Sequence, residues 1–362
     1  MTLEQDLGLI WLAKQTTDAT LIAGGIEATM NYQVLMKHSP LDYIILGEGE
    51  KPLLSLCEDR FISQSPLSLR EYREANLGID FNKIPFKKFW DETLKRHTDI
   101  TREEANTIRL VTSSHCPHRC TFCSSKNFLE GKIKQLTGED IVTMVFKSVW
   151  AWPGATQIFF QDDNFLLGSK GRNRWKSISD IEFPIPFIGQ ARLDDVTPDI
   201  LPYLDNFKMI SVGIESFSQN ILDEFRKDLK ADTIDGRLRD IMDADINVYL
   251  NIIMTSPYCT KEDVKLTIEK CEEWLGRGAQ LGINLYVDAY PGTEIIDYSE
   301  VTYKTVKIPY TDITFKKIWK MLPMNPEIRD AVLKTDRTLE ENPLRSYLRS
   351  QLILKEMKRN LG

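Results

Sequence analysis

Nowhere does this chain carry an apolar run approaching the ~18 residues a membrane helix needs, so it is not expected to span a bilayer. The opening residues, MTLEQDLGLIWLAK, lack a basic segment followed by an apolar run and a small-residue cleavage site. That removes a secretion signal and predicts a cytoplasmic protein. No strong basic block is present and the net charge is -7, so no broad nucleic-acid surface is expected. Repeats of solenoid length and low-complexity tracts are also missing, which excludes arrays and disordered tails as the organising feature. Histidine is scarce, with four in 362 residues. In a reducing compartment the six cysteines are read as free thiols, metal ligands or catalytic groups, not as disulfides. What remains is ordinary for a globular chain: 42% hydrophobic and 27% charged residues. A chain of this length typically buries ~75% of its unfolded surface, enough for a large domain and a smaller one.

From about residue 106 the sequence alternates between two periodicities. Six short runs rich in β-branched and aromatic residues read as strands: TIRLVTSS (107–114), TQIFFQDD (156–163), IPFIGQAR (185–192), KMISVGIES (208–216), INVYLNIIMTS (246–256) and LGINLYVDAY (281–290). Between them lie segments with helical spacing, such as GEDIVTMVFKSVWAW, SQNILDEFRKDL and KEDVKLTIEKCEEWL. Capping signals stand at Thr137 or Gly138 before Glu139 and Asp140, at Thr197 before Pro198, and at Thr260 three residues before Asp263. Apolar strands alternating with helices predict a parallel sheet covered by helices, and six units make a partial (βα)6 TIM-like barrel. Residues 1–60 read as a smaller α/β piece, in which DATLIAGGIEAT and DYIILGEGE are strands running into paired glycines. Glycine lets the backbone turn tightly or approach a ligand, and open α/β sheets bind ligands at strand C-termini. Two plain turns are the competing reading. Residues 61–105 read as a linker, and 297–362 as a helical C-terminal extension without further strands.

Directly after the first barrel strand, Cys116, Cys120 and Cys123 form C-x3-C-x2-C, with His115 and His118 interleaved. Parallel barrels place their chemistry at the C-terminal ends of strands. Thiolates suit iron-sulfur clusters, zinc or copper. A cubane cluster held by three cysteines leaves one iron open to an outside ligand. A zinc site would take the three thiols with His115 or His118 as the fourth ligand, although structural zinc sites usually pair two separated ligand clusters. Of the other thiols, Cys57 and Cys271 are read as core residues, and Cys259, after the fifth strand, as a candidate hydrogen donor or substrate thiol.

The run C116-P-H-R-C120-T-F-C123, its aromatic Phe122 and the six βα units after it resemble the radical S-adenosylmethionine (radical SAM) superfamily. The resemblance implies a [4Fe-4S] cluster on Cys116, Cys120 and Cys123, whose open iron chelates S-adenosylmethionine and splits it to a 5′-deoxyadenosyl radical. It implies cofactor contacts at Phe122, at Gln161, Asp162 and Asp163 (toward the cofactor's amine), at Arg192 (toward its carboxylate) and at Glu215 (toward its ribose or amine). Tyr290-Pro291-Gly292-Thr293 resembles a turn that marks one branch of the family. The histidines become neighbours of the cluster instead of ligands.

The glycine turns of residues 1–60 resemble the second half of the cobalamin-binding domain that precedes class B radical SAM barrels. The usual D-x-H-x-x-G motif is absent, His38 lies outside any such motif, and the first half of the sheet is missing. The resemblance thus implies a truncated Rossmann-like, cobalamin-binding-like domain at 1–60, a linker at 61–105, a radical SAM barrel at 106–296 and a helical extension at 297–362. It leaves open whether cobalamin binds and whether a second polypeptide completes the domain. The implied activity is radical modification of a small-molecule or peptide substrate, with an electron donor such as flavodoxin or ferredoxin. A cobalamin-dependent methyltransferase is the alternative enzyme. A zinc-stabilised or electron-transfer protein is the alternative that is not an enzyme.

Overall fold

The computed structural model describes residues 3–30, 32–47, 49–58, 79–96, 100–113, 116–123, 125, 133, 135–287, 293–295, 303–307, 314–318, 324–341 and 346–362. The chain divides into two compact units. One comprises Ala75–Cys116, Ile133–Val287 and Pro323–Gly362; the other comprises Met1–Glu74, Pro117–Lys132 and Asp288–Leu322.

The larger unit is built on six parallel strands paired in sequence order: β3 (Thr107–Leu110), β4 (Gln157–Phe160), β5 (Phe187–Arg192), β6 (Phe207–Glu215), β7 (Asn247–Ile253) and β8 (Gln280–Asn284). This is the expected partial TIM-like barrel. Alternation along each strand separates two faces. Ile158, Phe160, Phe187, Ile210, Val212, Val248, Leu250 and Leu281 are all buried at 0–1% exposure. Phe160, Phe187 and Phe207 pack there, each edge-to-face with Trp175 of the helix Gly168–Lys176. Gly189 of β5 has no room for a side chain, since a Cβ would come within 2.6 Å of the Phe165 ring and 2.8 Å of Phe207. The opposite face is polar and partly open. Arg109 lies over the Phe159 ring at 5.6 Å, and the Asn251 amide donates to Ser211 Oγ at 2.9 Å.

Helices follow their sequence signals. Thr137 and Thr260 cap Gly138–Ala151 and Lys261–Gly276 through reciprocal boxes with Asp140 and Asp263. Thr197 does not start an α-helix. Pro198 and Pro202, four residues apart, each remove a backbone donor, and only a single 3-10 turn, Leu201–Tyr203, forms. The described part of the expected linker is itself structured: the helix Phe86–Arg96 places Phe86 on Trp152 at 3.5 Å and Trp90 Nε1 on the Thr107 carbonyl.

The C-terminal stretch differs from expectation in part. An antiparallel pair, β9 (Tyr303–Lys307) and β10 (Thr314–Ile318), precedes the two helices Pro326–Glu341 and Ser346–Leu361. Their sequences, YKTVK and TFKKI, are short, rich in lysine and without period-two alternation, which is why the sequence predicts no strand there. The last helix borders β8, with Ser350 Oγ donating to the Leu281 carbonyl at 2.8 Å, and so covers a strand edge that would otherwise be open.

In the smaller unit, β1 (Ile22–Ala23) and β2 (Tyr43–Ile44) pair in parallel beside a core of Leu7, Ala28, Leu35 and Ile44. The two glycine turns leave these strands side by side. Thr29 Oγ1 donates to the Gly25 carbonyl and accepts the Gly47 N–H, both at 2.8 Å. Gly25 (φ 93°) and Gly47 (φ 71°) hold the left-handed backbone that glycine alone adopts freely. Among the described residues, no helix is long and apolar enough to cross a membrane.

Candidate active site

The chain leaves β3 at Leu110 and reaches Cys116 six residues later. The pairing with β4 ends earlier than the apolar run suggested, because residues 112–113 and 161–163 turn to other partners. Gln161 N–H still bonds to Leu110 O, but Asp162 is buried at 1% exposure. Its carboxylate accepts the backbone N–H groups of Thr112 (2.6 Å) and Ser113 (2.9 Å) and the Thr112 hydroxyl. It also faces the Arg174 guanidinium at 3.4 Å. Arg174 in turn donates to the Thr112 and Phe165 carbonyls at 2.7 and 2.8 Å. Burial pulls this guanidinium below its ordinary range, and Asp162 opposes that pull. Asp162 is thus committed to shaping the turn that carries Cys116, not turned outward to receive an amine. Its neighbours Gln161 and Asp163 are exposed.

At the ends of β5 and β6 the structure joins two expected residues to one the sequence did not reveal. Arg192, 4% exposed, grips Asp194 with Nε (3.0 Å) and Nη2 (2.9 Å), and Nη2 also donates to the Lys227 carbonyl. Glu215 accepts from Lys227 Nζ at 2.8 Å, with both side chains no more than 10% exposed. Gly213 gives this pair its space, since a Cβ there would meet Glu215 Oε1 at 2.6 Å and Lys227 Nζ at 3.0 Å. Lys227 sits twelve residues past Glu215 in a polar stretch, with no periodicity to single it out.

The cysteine loop falls across the two units: Cys116 ends a segment of the larger one, and Cys120, Phe122 and Cys123 belong to the smaller. Within the smaller unit Cys123 N–H bonds to the Cys120 carbonyl at 3.2 Å, and Thr121 O accepts Glu294 N–H at 2.7 Å. Cys120 is buried; Cys116, Cys123, Phe122 and His118 are half-buried. His115 and Tyr290, Pro291 and Gly292 lie outside the described residues. None of the six cysteines forms a disulfide. Among the described residues no three His, Cys, Asp or Glu side chains are gathered at metal-holding distance. By donor chemistry, three thiols within eight residues fit an iron-sulfur cluster with an open iron.

The remaining thiols separate cleanly. Cys271 is fully buried, and burial pushes its thiol up to about 12. Cys259, 5% exposed, accepts the Ser256 N–H at 3.4 Å, and burial pushes its thiol up to about 11. Cys57 is exposed, against the expectation of core packing, because it closes the helix Glu50–Cys57 on a solvent-facing side that also carries Leu53 and Leu54.

The residues from the end of β3 to the helix after β7, 110–271, match the family model for the Radical SAM superfamily. They form a radical SAM domain. Its fold recurs in solved structures. A radical S-adenosylmethionine methyltransferase, TsrM from Kitasatospora setae, bound to tryptophan and an S-adenosylmethionine analogue, is 17% identical. It superposes with a TM-score of 0.63 over 84% of this chain and 64% of that one. The cobalamin-dependent S-adenosylmethionine radical enzyme OxsB, with aqua-cobalamin bound, is 15% identical, with a TM-score of 0.64 over 93% of this chain and 56% of that one. At such identities the likeness establishes the fold, and the chain spans less than two thirds of these structures' length. No curated protein matches the chain. The radical SAM match takes in all three clustered cysteines, Gln161 to Asp163, Arg192, Glu215 and Lys227.

Proposed function

We propose that this chain is a radical SAM enzyme acting on a small-molecule or peptide substrate, with Cys116, Cys120 and Cys123 as the thiolates that hold a [4Fe-4S] cluster. The observation that carries this reading is the combination of a three-thiol loop following the first of six parallel strands with charged side chains ending the next strands. When bound, the cluster supplies an electron for reductive cleavage of S-adenosylmethionine at its open iron. The chain's own residues position and enclose. Phe122 stands between two of the thiol ligands. Gln161 and Asp163 offer acceptors at the end of β4, and Arg192 and Glu215 lie at the ends of β5 and β6. Asp162 acts one step back, by fixing the Thr112 and Ser113 backbone ahead of Cys116. The apolar outer face keeps the strands rigid, which is what orienting a reactive cofactor requires. An electron donor of flavodoxin or ferredoxin type and a cytoplasmic setting go with this chemistry.

The test is anaerobic reconstitution followed by reduction in the presence of S-adenosylmethionine. Formation of 5′-deoxyadenosine is expected, and its absence from a protein loaded with four irons would contradict the proposal.

A second reading, cobalamin-dependent radical methyl transfer, is favoured by the paired glycine turns. Thr29 ties Gly25 and Gly47 together at the C-terminal ends of parallel strands, and nothing lies within 4 Å of where a Gly25 Cβ would stand. Small, side-chain-free turns of this kind suit the approach of a nucleotide-like tail. The sheet that carries these turns, β1 and β2, has two strands among the described residues, so a second polypeptide or a further part of the chain would complete a corrin pocket. Stoichiometric retention of hydroxocobalamin by the full chain supports this reading, and a cobalt-free protein after gel filtration counts against it.

A further inference from the structure

The Glu215–Lys227 pair is expensive to build. Among the described residues four non-glycine positions have a left-handed backbone, and three of them lie at this pair: Glu215 itself (φ 68°) and the two neighbours of Lys227, Arg226 (φ 48°) and Asp228 (φ 57°). Left-handed backbone at a residue with a side chain is uncommon and strained. Arg226 occupies the position after the helix Gln219–Glu224 that usually falls to glycine. The Lys227 N–H returns to the Leu222 carbonyl (2.9 Å) and the Arg226 N–H to the Asp223 carbonyl (3.0 Å), which is the Schellman arrangement. The result turns Lys227 inward, to 4% exposure, and puts its ammonium on Glu215. A buried ion pair adds little stability over a well-packed apolar pair, so stability alone does not account for three strained residues. The same turn carries the carbonyl that receives Arg192 Nη2, so the ends of β5 and β6 and this turn make one hydrogen-bonded unit.

We propose that Lys227 is a positioning residue that holds the Glu215 carboxylate in place and aims it at the vicinal diol of an adenosyl ribose. The ligand class follows from charge. With Lys227 already neutralising it, the carboxylate gains little from a second cation such as an α-ammonium, whereas hydroxyl donors meet no competing charge. The inference rests on the proposal that the chain binds S-adenosylmethionine.

The experiment uses the full, cluster-loaded chain and isothermal titration calorimetry with two ligands. S-adenosylhomocysteine carries ribose and amino acid, and 5′-methylthioadenosine carries ribose without the amino acid. Lys227→Met is expected to weaken both ligands by about 10-fold or more, as for loss of a charged hydrogen bond. Lys227→Arg, which keeps the charge, is expected to restore both to within about 3-fold of wild type. The 2′-deoxy form of methylthioadenosine should bind wild type and Lys227→Met alike. Iron content should be unchanged throughout. Should Lys227→Met not fold, Lys227→Gln keeps a donor without the charge and is expected to weaken both ligands. Equal binding of methylthioadenosine by wild type and by folded Lys227→Met or Lys227→Gln, or weakening of S-adenosylhomocysteine alone, would overturn the inference. A wild-type protein that takes up a cluster but binds neither ligand would instead overturn the radical SAM reading.

Discussion

Replacing Asp162 with alanine tests whether that carboxylate belongs to the scaffold or to a ligand. Its side chain is fully buried, two backbone N–H groups and the Thr112 hydroxyl donate to it, and Arg174, 3% exposed, faces it. Removing it leaves a buried guanidinium whose other acceptors are the carbonyls of Thr112 and Phe165, together with two backbone donors deprived of their acceptor. Breaking a buried ion pair from one side costs about 3–5 kcal/mol. For a unit of this size each kcal/mol moves Tm by about 2–4 °C, so a fall on the order of 10 °C is expected. Differential scanning fluorimetry of the apoprotein reads this without any cofactor. Because Thr112 and Ser113 precede Cys116 by only a few residues, iron uptake should fall as well. Asp163→Ala, on an exposed side chain next door, should leave Tm within about 1 °C. If Asp162→Ala melts within about 2 °C of wild type, the scaffold role assigned to Asp162 is wrong.

Three further outcomes follow from the same geometry. Gly189→Ala would drive a methyl into the Phe165 and Phe207 rings, and overpacking of this kind should cost about 1–3 kcal/mol in chemical denaturation; an unchanged midpoint would refute the close approach. With its thiol near 11, only about one thousandth of Cys259 is thiolate at pH 8, so mass spectrometry after brief alkylation should find Cys57 modified and Cys259 and Cys271 unmodified. At Asp263 burial works to raise the carboxyl pKa, but hydrogen bonds from Ser218, Thr260 and Asn220 outweigh it and hold the group below its ordinary range. A depressed carboxyl stabilises above its unfolded value, and that contribution disappears as pH falls through the folded one. Tm should therefore drop below about pH 4, and Asp263→Asn should lower Tm at pH 7 while flattening that acid slope.

The barrel was legible because its strands carry long apolar runs and its helices carry caps. Thr137 with Asp140 and Thr260 with Asp263 marked their helices within one residue. The helix Gly168–Lys176 gave no such signal: GSKGRNRWK holds two glycines and four basic residues, and it is secured by burial of Arg174 and Trp175 and by the close approach of Gly171 to Leu166. The cysteine loop could be read from spacing alone, since ligand type and separation are local properties. Lys227 could not, because what brings it to Glu215 is the left-handed backbone of its neighbours, and nothing in R-K-D distinguishes that turn from a solvated one. The partners of Asp162 were equally invisible in the sequence. Its sequence neighbours point outward, and only the fold shows its carboxylate closing on Thr112, Ser113 and Arg174.

The most direct test of the account is the metal content of the anaerobically reconstituted chain and of its Cys116→Ser, Cys120→Ser and Cys123→Ser variants, read by iron and sulfide analysis and by electron paramagnetic resonance. The account predicts about four irons and four sulfides per wild-type chain and a reduced-cluster signal that changes when S-adenosylmethionine is added. Each single variant should lose that signal. A stoichiometric zinc ion in place of iron, or an intact cluster signal in the serine variants, would contradict it.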